Sequence, residues 1–235
     1  MAGCRIFDGV GYYSESANGA DYQSLSGFTI AAWVYRSSTG TFNVPYGISN
    51  GSSHAVMLYW FSDNVIYMDV RNGGTKYRNS DANTSTGWHF LAGVFDGSAA
   101  DTSRMKCYLD GVDVTTGGTT GNPTTTSASP SLAVTGRVGR LDVSSVVNSS
   151  GNALAHVSLY NVALTTREIN ELMFKPASPQ RGRLHYWALN GNGTSATNNE
   201  ADMQRIHYLT GSNMSSTSAS MLSPRVCIGG SAQCL

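Results

Sequence analysis

Trp88-His89-Phe90-Leu91-Ala92-Gly93-Val94-Phe95-Asp96-Gly97, a polar connection, and Met105-Lys106-Cys107-Tyr108-Leu109-Asp110-Gly111-Val112-Asp113-Val114 form the stretch that decides the fold. The first half alternates with period two. Trp88, Phe90, Ala92 and Val94 fall on one face, and His89, Leu91, Gly93 and Phe95 on the other. Both faces are largely apolar, which predicts a strand between two covered surfaces, in the middle of a sandwich. In the second half Met105, Cys107 and Leu109 point inward, Lys106 and Tyr108 outward. Asp110-Gly111 has the residue types that accept the positive φ angles of a two-residue hairpin turn, so Val112 and Val114 lead back.

Working outward, further strands are expected at 5–7, 28–36, 54–61, 64–71, 76–78, 134–141 and 153–159. Phe28 to Arg36 is apolar on both faces and reads as central. In 64–71, Ile66, Met68 and Val70 should face the core while Tyr67, Asp69 and Arg71 face solvent. Residues 11–27 and the Thr/Gly/Ser/Pro-rich 115–131 read as loops. The one clear helix follows Thr165-Thr166-Arg167-Glu168, a capping box, and carries the stripe Ile169, Leu172 and Met173. Pro176 and Pro179 mark a linker, and strands follow at 184–189 and 206–211.

Three segments together resemble laminin-G-like domains of the concanavalin A-like lectin and glucanase superfamily. The central stretch is similar to that family's signature. Phe7-Asp8-Gly9-Val10 with Gly27-Phe28-Thr29-Ile30-Ala31-Ala32-Trp33-Val34 resembles its opening. Val157-Ser158-Leu159-Tyr160-Asn161 with Ala163-Leu164-Thr165-Thr166-Arg167-Glu168-Ile169 resembles its closing strand and short helix. The resemblance implies an all-β, two-sheet antiparallel jelly-roll sandwich with one short helix. It spans about Arg5 to Met173 and does not imply one function. A single domain over 1–235 is expected, with a core at 5–175 and a C-terminal extension, 176–235, adding strands to the same sandwich. Residues 184–211 are too few for a core of their own.

The chain has 235 residues, 40% of them hydrophobic and only 13% charged, with 15 basic against 15 acidic side chains. Twelve Arg are scattered without a run, so no electrostatic footprint for nucleic acid appears. No apolar run approaches the ~20 residues of a membrane span. Met1-Ala2-Gly3-Cys4-Arg5 lacks the charged-then-hydrophobic pattern of a signal segment. Either a signal has been trimmed, or the protein leaves the cytoplasm by another route, such as inside a virus particle.

Chemistry is sparse. Glucanases of the resembled superfamily carry Glu-x-Asp-x-Glu on one strand, which sets two carboxylates on one face. This chain has four Glu, at 15, 168, 171 and 200, and none is so placed. Gly47-Ile48-Ser49-Asn50-Gly51 matches the G-x-S-x-G nucleophile pattern, but Pro45 precedes it and a strand follows, so it reads as a glycine-rich turn. His54, His89, His156, His185 and His207 have no metal-ligand spacing and read as sheet or core residues. No catalytic residue is assigned.

Binding is better supported. Tyr46, Tyr59, Tyr67 and Tyr77, with Asn64, Asp69 and Asn79, offer aromatic faces beside amide and carboxylate groups, as a glycan requires. Twelve Tyr in a lightly charged chain fit that use. The same tyrosines also fit ordinary sheet surface or a subunit contact. No cofactor is expected. The resemblance adds possible Ca²⁺, held in laminin-G and pentraxin-like relatives by rim-loop oxygens, and Asp81, Asn83, Asp96 and Asp101 are the candidates. Ca²⁺ takes six to eight oxygens, and no spacing here is diagnostic. Cys227 and Cys234 enclose six residues and are the disulfide candidate, with four free thiols as the alternative. Sequons at Asn50, Asn83, Asn148, Asn192 and Asn213 matter only in a eukaryotic secretory pathway.

Three function classes result. The first is a non-enzymatic recognition or assembly protein, a structural or decoration subunit of a virus particle or extracellular assembly, able to bind glycan and to form homo-oligomers or contacts with other structural proteins. The second is a secreted carbohydrate-binding lectin. The third, least supported, is a divergent glycoside hydrolase. Location is accordingly virion or extracellular.

Overall fold

The computed structural model describes residues 4–9, 12–15, 22–50, 53–126, 136–142, 146–178, 181–189, 200–201 and 208–212. Strands run in chain order as β1 Arg5–Asp8, β2 Tyr12–Glu15, β3 Gly27–Arg36, β4 Asn43–Asn50, β5 His54–Trp60 and β6 Ile66–Asn72. They continue as β7 Tyr77–Ser80, β8 Gly87–Asp96, β9 Met105–Leu109, β10 Val112–Asp113, β11 Thr115–Gly118 and β12 Arg137–Val138. The last are β13 Arg140–Asp142, β14 Val146–Asn148, β15 Ser150–Tyr160, β16 Arg183–Trp187, β17 Glu200–Ala201 and β18 Tyr208–Ser212, with helix α1, Thr166–Phe174, between β15 and β16.

Two antiparallel sheets form the sandwich. One has seven strands in the order β1-β15-β3-β8-β9-β10, with β16 also on β15. The other has nine, ordered β11-β7-β6-β5-β4-β12-β2-β18-β17, and β13 and β14 make a separate hairpin. This is the two-sheet jelly-roll sandwich with one short helix that the sequence implies.

The core follows from the alternation. Phe28, Ile30, Ala32 and Val34 of β3, Leu91 and Phe95 of β8, and Met105, Cys107 and Leu109 of β9 meet Val56, Leu58, Trp60, Ile66, Met68 and Val70 of the facing sheet. Gly93 lies on this inner face. A Cβ there would come within 2.5 Å of Met68 Sδ and 3.0 Å of Leu58 Cδ1, so side chains of the facing sheet fill the space that Gly93 leaves open.

The apolar second face of β3 and β8 is covered as well. Ala31, Phe90, Ala92, Val94, Tyr108 and Tyr160 pack under Leu164, Ile169 and Leu172. The capping box holds α1 at its start. Glu168 N donates to Thr165 Oγ1 at 3.3 Å and Thr165 N to Glu168 Oε2 at 2.7 Å, an arrangement worth about 1 kcal/mol. Asp110 (φ 50°) and Gly111 (φ 82°) make the tight β9–β10 turn.

Four local expectations are corrected. Residues 11–27 are not all loop, because β2 forms there and pairs with β12 and β18. Gly47 to Asn50 is not a turn but part of β4, in the interior of the nine-stranded sheet. Its glycine makes room for the hairpin above it, since a Cβ on Gly47 would meet Leu141 Cδ2 at 2.7 Å. Residues 137–141 are two strands instead of one, broken at Gly139 (φ 84°), whose missing Cβ leaves space for the Phe7 ring. In the region read as the 115–131 loop, β11 pairs with β7 at 115–118, and 127–131 lies outside the described residues.

The C-terminal segment joins this same sandwich. β16 pairs with β15 through Val157↔Trp187 and Ser158↔Tyr186, and β18 pairs with β2. Trp187 and His185 are fully buried, and Leu184 nearly so.

Candidate functional site

Because side chains alternate along a strand, β5, β6 and β7 present a second face, opposite the core. The register sets its rows. Asn79, Tyr67 and Tyr59 lie opposite one another across the three strands, and beside them Tyr77, Asp69 and Met57, then Gly47 of β4. The next row holds Arg71, Ala55 and Ser49. Leu141 of β13 lies over the Gly47–Met57 end, where Val44, Ala55, Met57, Tyr59 and Leu141 form a small apolar cluster. Phe61 and Tyr67 pack against its border.

Beyond that cover the face is aromatic. The Tyr59 and Tyr67 rings stack, with centroids 5.1 Å apart and planes 14° from parallel. Tyr77 meets Tyr67 edge-on at 5.4 Å. Phe61 adjoins Tyr67 at 6.1 Å, and Phe42 meets Phe61 at 4.3 Å. Tyr67, Tyr77, Phe61 and Phe42 are half-buried, so each is locked by its neighbours yet keeps part of its surface in water. Rings held this way lose little freedom on binding and suit contact with the C–H face of a pyranose.

The floor is charged but paired. Arg71 Nε donates to both Asp69 oxygens at 3.0 Å, and Arg71 Nη2 donates to Oδ2 at 2.6 Å. Asp69 is fully buried and Arg71 nearly so. Burial works against the Arg71 charge, but the bonds to Asp69 and its negative charge outweigh that and raise the guanidinium pKa. Burial likewise pushes the Asp69 carboxyl up, while Arg71 and the Tyr59 hydroxyl hold it back. At the rim, Tyr67 Oη donates to Asp63 Oδ2 at 2.8 Å, and Val65 N donates to Asp63 Oδ1 at 2.9 Å. Burial, first, raises both the Tyr59 and Tyr67 pKa values, so these hydroxyls stay protonated donors.

Of the residues expected to bind ligand, Tyr59, Tyr67, Asp69, Tyr77 and Asn79 share this face. Tyr46 does not, and this is a correction. It points into the sandwich core, fully buried, 6.0 Å from the Tyr22 ring and 6.3 Å from Trp187. The register shift between Asn43 and Tyr46 decides which face this part of β4 presents. Asp69 stands on the expected face but out of solvent, neutralised by Arg71. Asn64 is spent internally, its Oδ1 accepting from Arg36 Nη2 at 2.8 Å and Gly40 N at 2.9 Å. Phe42, Phe61, Asp63 and Arg71 were not singled out from the sequence. Phe61 was legible, lying two residues beyond Tyr59 on the same parity.

The four calcium candidates are not brought together. Asp81 and Asn83 precede β8 and line a cleft of about 250 Å³ with Ile66, Leu109 and Thr116. Asp96 ends the ten-residue β8 and lines a different cleft, of about 430 Å³, beside the start of α1. Ten strand residues span roughly 30 Å. Asp101 is engaged by Gly121 N at 2.7 Å and Asn122 N at 2.6 Å, bonds that lower its pKa. Among the described residues no group of three His, Cys, Asp or Glu side chains could hold a metal. The donor set therefore does not fit one Ca²⁺ shell. Cys227, Cys234 and His207 lie outside the described residues, while Cys4 and Cys107 are in no disulfide.

No helix of the described residues is long and apolar enough to cross a membrane. No curated protein sequence matches the chain. Solved structures do resemble it. A candidate carbohydrate-binding protein from Bacteroides ovatus superposes with a TM-score of 0.66 at 16% identity, covering 90% of this chain and 58% of its own. This chain thus spans little more than half of that protein. A heptameric SAP-like pentraxin from Limulus polyphemus gives 0.51 at 14% identity, covering 89% of this chain and 92% of its own. The CBM40 domain of a Ruminococcus gnavus IT-sialidase gives 0.51 at 13%, covering 74% and 97%. At such identities the likeness is one of fold. A laminin-G-type family model matches residues 8–170, the span that holds both sheets' central strands and the start of α1, and the chain belongs to the concanavalin A-like lectin/glucanases superfamily.

Proposed function

We propose that this protein binds carbohydrate on the outer face of β5, β6 and β7 without cleaving it. The locked aromatic group of Tyr59, Tyr67 and Tyr77 carries this reading, because it offers stacking surface beside the Asp63 and Asn79 polar groups. The described fold neighbours include a candidate carbohydrate-binding protein and a CBM40 domain, which supports the same use. A binding role without hydrolysis is supported by the state of Asp69. Glycosidases flank the scissile bond with two carboxyl groups ~5–9.5 Å apart. Asp69 has no exposed surface to reach a substrate and is held by Arg71.

A glycan panel titrated calorimetrically against the intact protein and Tyr67→Ala tests this. The variant should bind at least about fivefold more weakly, as loss of a stacking ring typically costs over ~1 kcal/mol. Reducing ends should not accumulate with any panel member. Glycan binding unchanged by both Tyr67→Ala and Tyr77→Ala would place the ligand elsewhere.

A second reading is a subunit of a virus particle or other extracellular assembly. It is supported by Val112 and Phe174, large apolar side chains left 63% and 53% exposed on the β9–β10 turn and at the end of α1. Sedimentation equilibrium of Phe174→Ser against the parent chain separates it from a monomeric lectin.

A further inference from the structure

We infer that this face selects neutral glycans and discriminates against anionic ones such as uronates, sialosides and sulfated sugars. The inference rests on the glycan-binding reading above and concerns the chemical class of its ligand.

Charge and its pairing carry the argument. Arg71 is the cation within the face, and its Nε and Nη2 are committed to Asp69 at 2.6–3.0 Å. Each Asp69 oxygen accepts from it, so the pair is closed and contributes no net charge. An arginine that recognises an anionic sugar must instead offer its fork to the ligand. Asp63 remains, exposed at the rim where Tyr67 Oη meets its Oδ2. The described face therefore carries one net negative charge, placed beside the Tyr67 ring.

Arg36 bonds Asn64, next to Asp63 in sequence, but is fully buried with its guanidinium over the inward Trp60 ring at 4.0 Å. The other cations stand away from the face. Arg78 shares the opposite face of β7 with its partner Met68. Lys76 Nζ is drawn to the Thr120 carbonyl at 2.6 Å. Arg137 lies in the row of Asp69, but three strands away through β5 and β4. That is roughly 14 Å at ~4.8 Å per strand, beyond the ~8 Å screening length of physiological salt. Its guanidinium and that of Arg140 are turned to the Tyr12 ring, at 5.8 and 4.4 Å.

A neutral pyranose meets no such penalty. Its apolar face can lie on Tyr67 and Tyr77, while its hydroxyls donate to the carboxylate of Asp63. A second carboxylate near Asp63 is repelled, weakly in bulk water and more strongly where the rings exclude water. Discrimination of about tenfold follows at low salt, and it should shrink as salt is added.

The test pairs each neutral glycan with a charged counterpart: galactan with polygalacturonate, lactose with sialyllactose, chitin oligosaccharides with sulfated ones. Calorimetry at ~20 mM and ~300 mM NaCl is run on the full chain, Tyr67→Ala and Asp63→Asn. Expected are neutral ligands at least about tenfold tighter at low salt, a smaller gap at high salt, and a gap narrowed in Asp63→Asn. The amide keeps an acceptor for Val65 N and drops the charge. A gap that Asp63→Asn leaves unchanged overturns the assignment to Asp63. Anionic ligands bound equally or more tightly, and lost in Tyr67→Ala, overturn the selectivity while leaving the glycan-binding face intact. If no member of either series binds, both readings fall.

Discussion

The Asp69–Arg71 pair stands where two opposing costs meet. Removing two charges from water is expensive, and only close bidentate geometry recovers it. Arg71→Met should therefore cost about 3–5 kcal/mol, because it leaves Asp69 buried and unpaired. The double variant Asp69→Leu/Arg71→Met should regain most of that loss, since neither charge is then stranded. Urea denaturation of the two single variants and the double, read as a thermodynamic cycle, checks it. Additive losses in the double would mean the pair is not coupled. The sequence placed Asp69 on the correct face by its parity with Tyr67. It could not reveal the burial, because the neighbouring row on β5 is set by pairing, with Met57 opposite Asp69 and itself under Leu141 of β13, more than seventy residues downstream.

At the scale of elements, β15 shows what period-two reading captures and what it misses. The alternation predicts a strand, and an eleven-residue strand forms. Its register against β3 moves from Ala155↔Trp33 to Ser158↔Ala31, three residues against two, so one residue is extra. His156 sits in this bulge with φ 55°. There β15 changes its outer partner, pairing with β1 up to Leu154 and with β16 from Val157. No local propensity encodes a change of partner, so the bulge was not legible. His156 is fixed by its neighbours, with Nδ1 2.7 Å from Tyr186 Oη and the two rings stacked 6.0 Å apart. Burial lowers its pKa from 6.5 to about 4. The unfolded chain then binds the proton first, so stability from this group is full above pH ~6.5 and is lost as pH falls to ~4. The loss is on the order of 3 kcal/mol. His156→Asn tolerates the positive φ and carries no titrating ring. Its urea midpoint should fall less than the parent's between pH 7 and pH 4. Equal falls in the two proteins would assign the acid sensitivity to other groups.

At the scale of the whole molecule, strands beyond the family match take part in both sheets of the sandwich. The family match ends at residue 170, yet β16 completes the edge of one sheet and β18 extends the other. The apolar run Leu184-His185-Tyr186-Trp187 announced such a strand, since one left unpaired would be an aggregation edge. Which sheet it joins was not legible, because a ten-residue linker reaches several edges. The answer lies in packing between the layers. Trp187 stacks on Tyr46 of the nine-stranded sheet with planes 17° apart, and His185 lies 6.5 Å from Tyr22. The Trp187–Tyr46 contact bridges the two sheets, so β16 is core as much as edge. Losing Trp187 alone should cost about 3–5 kcal/mol, against the 5–15 kcal/mol that stabilises a typical domain. A chain ending at Lys175 loses Trp187 together with Leu184, Tyr186 and the pairing of β16 to the second half of β15, which keeps only β3 there. It should be insoluble, or bind hydrophobic dyes and melt without cooperativity, whereas Trp187→Ala in the full chain should still fold with a lowered melting temperature. Calorimetry and dye binding on the two proteins separate the cases. A soluble 1–175 fragment melting cooperatively near the parent's temperature would mean that the family core closes without β16.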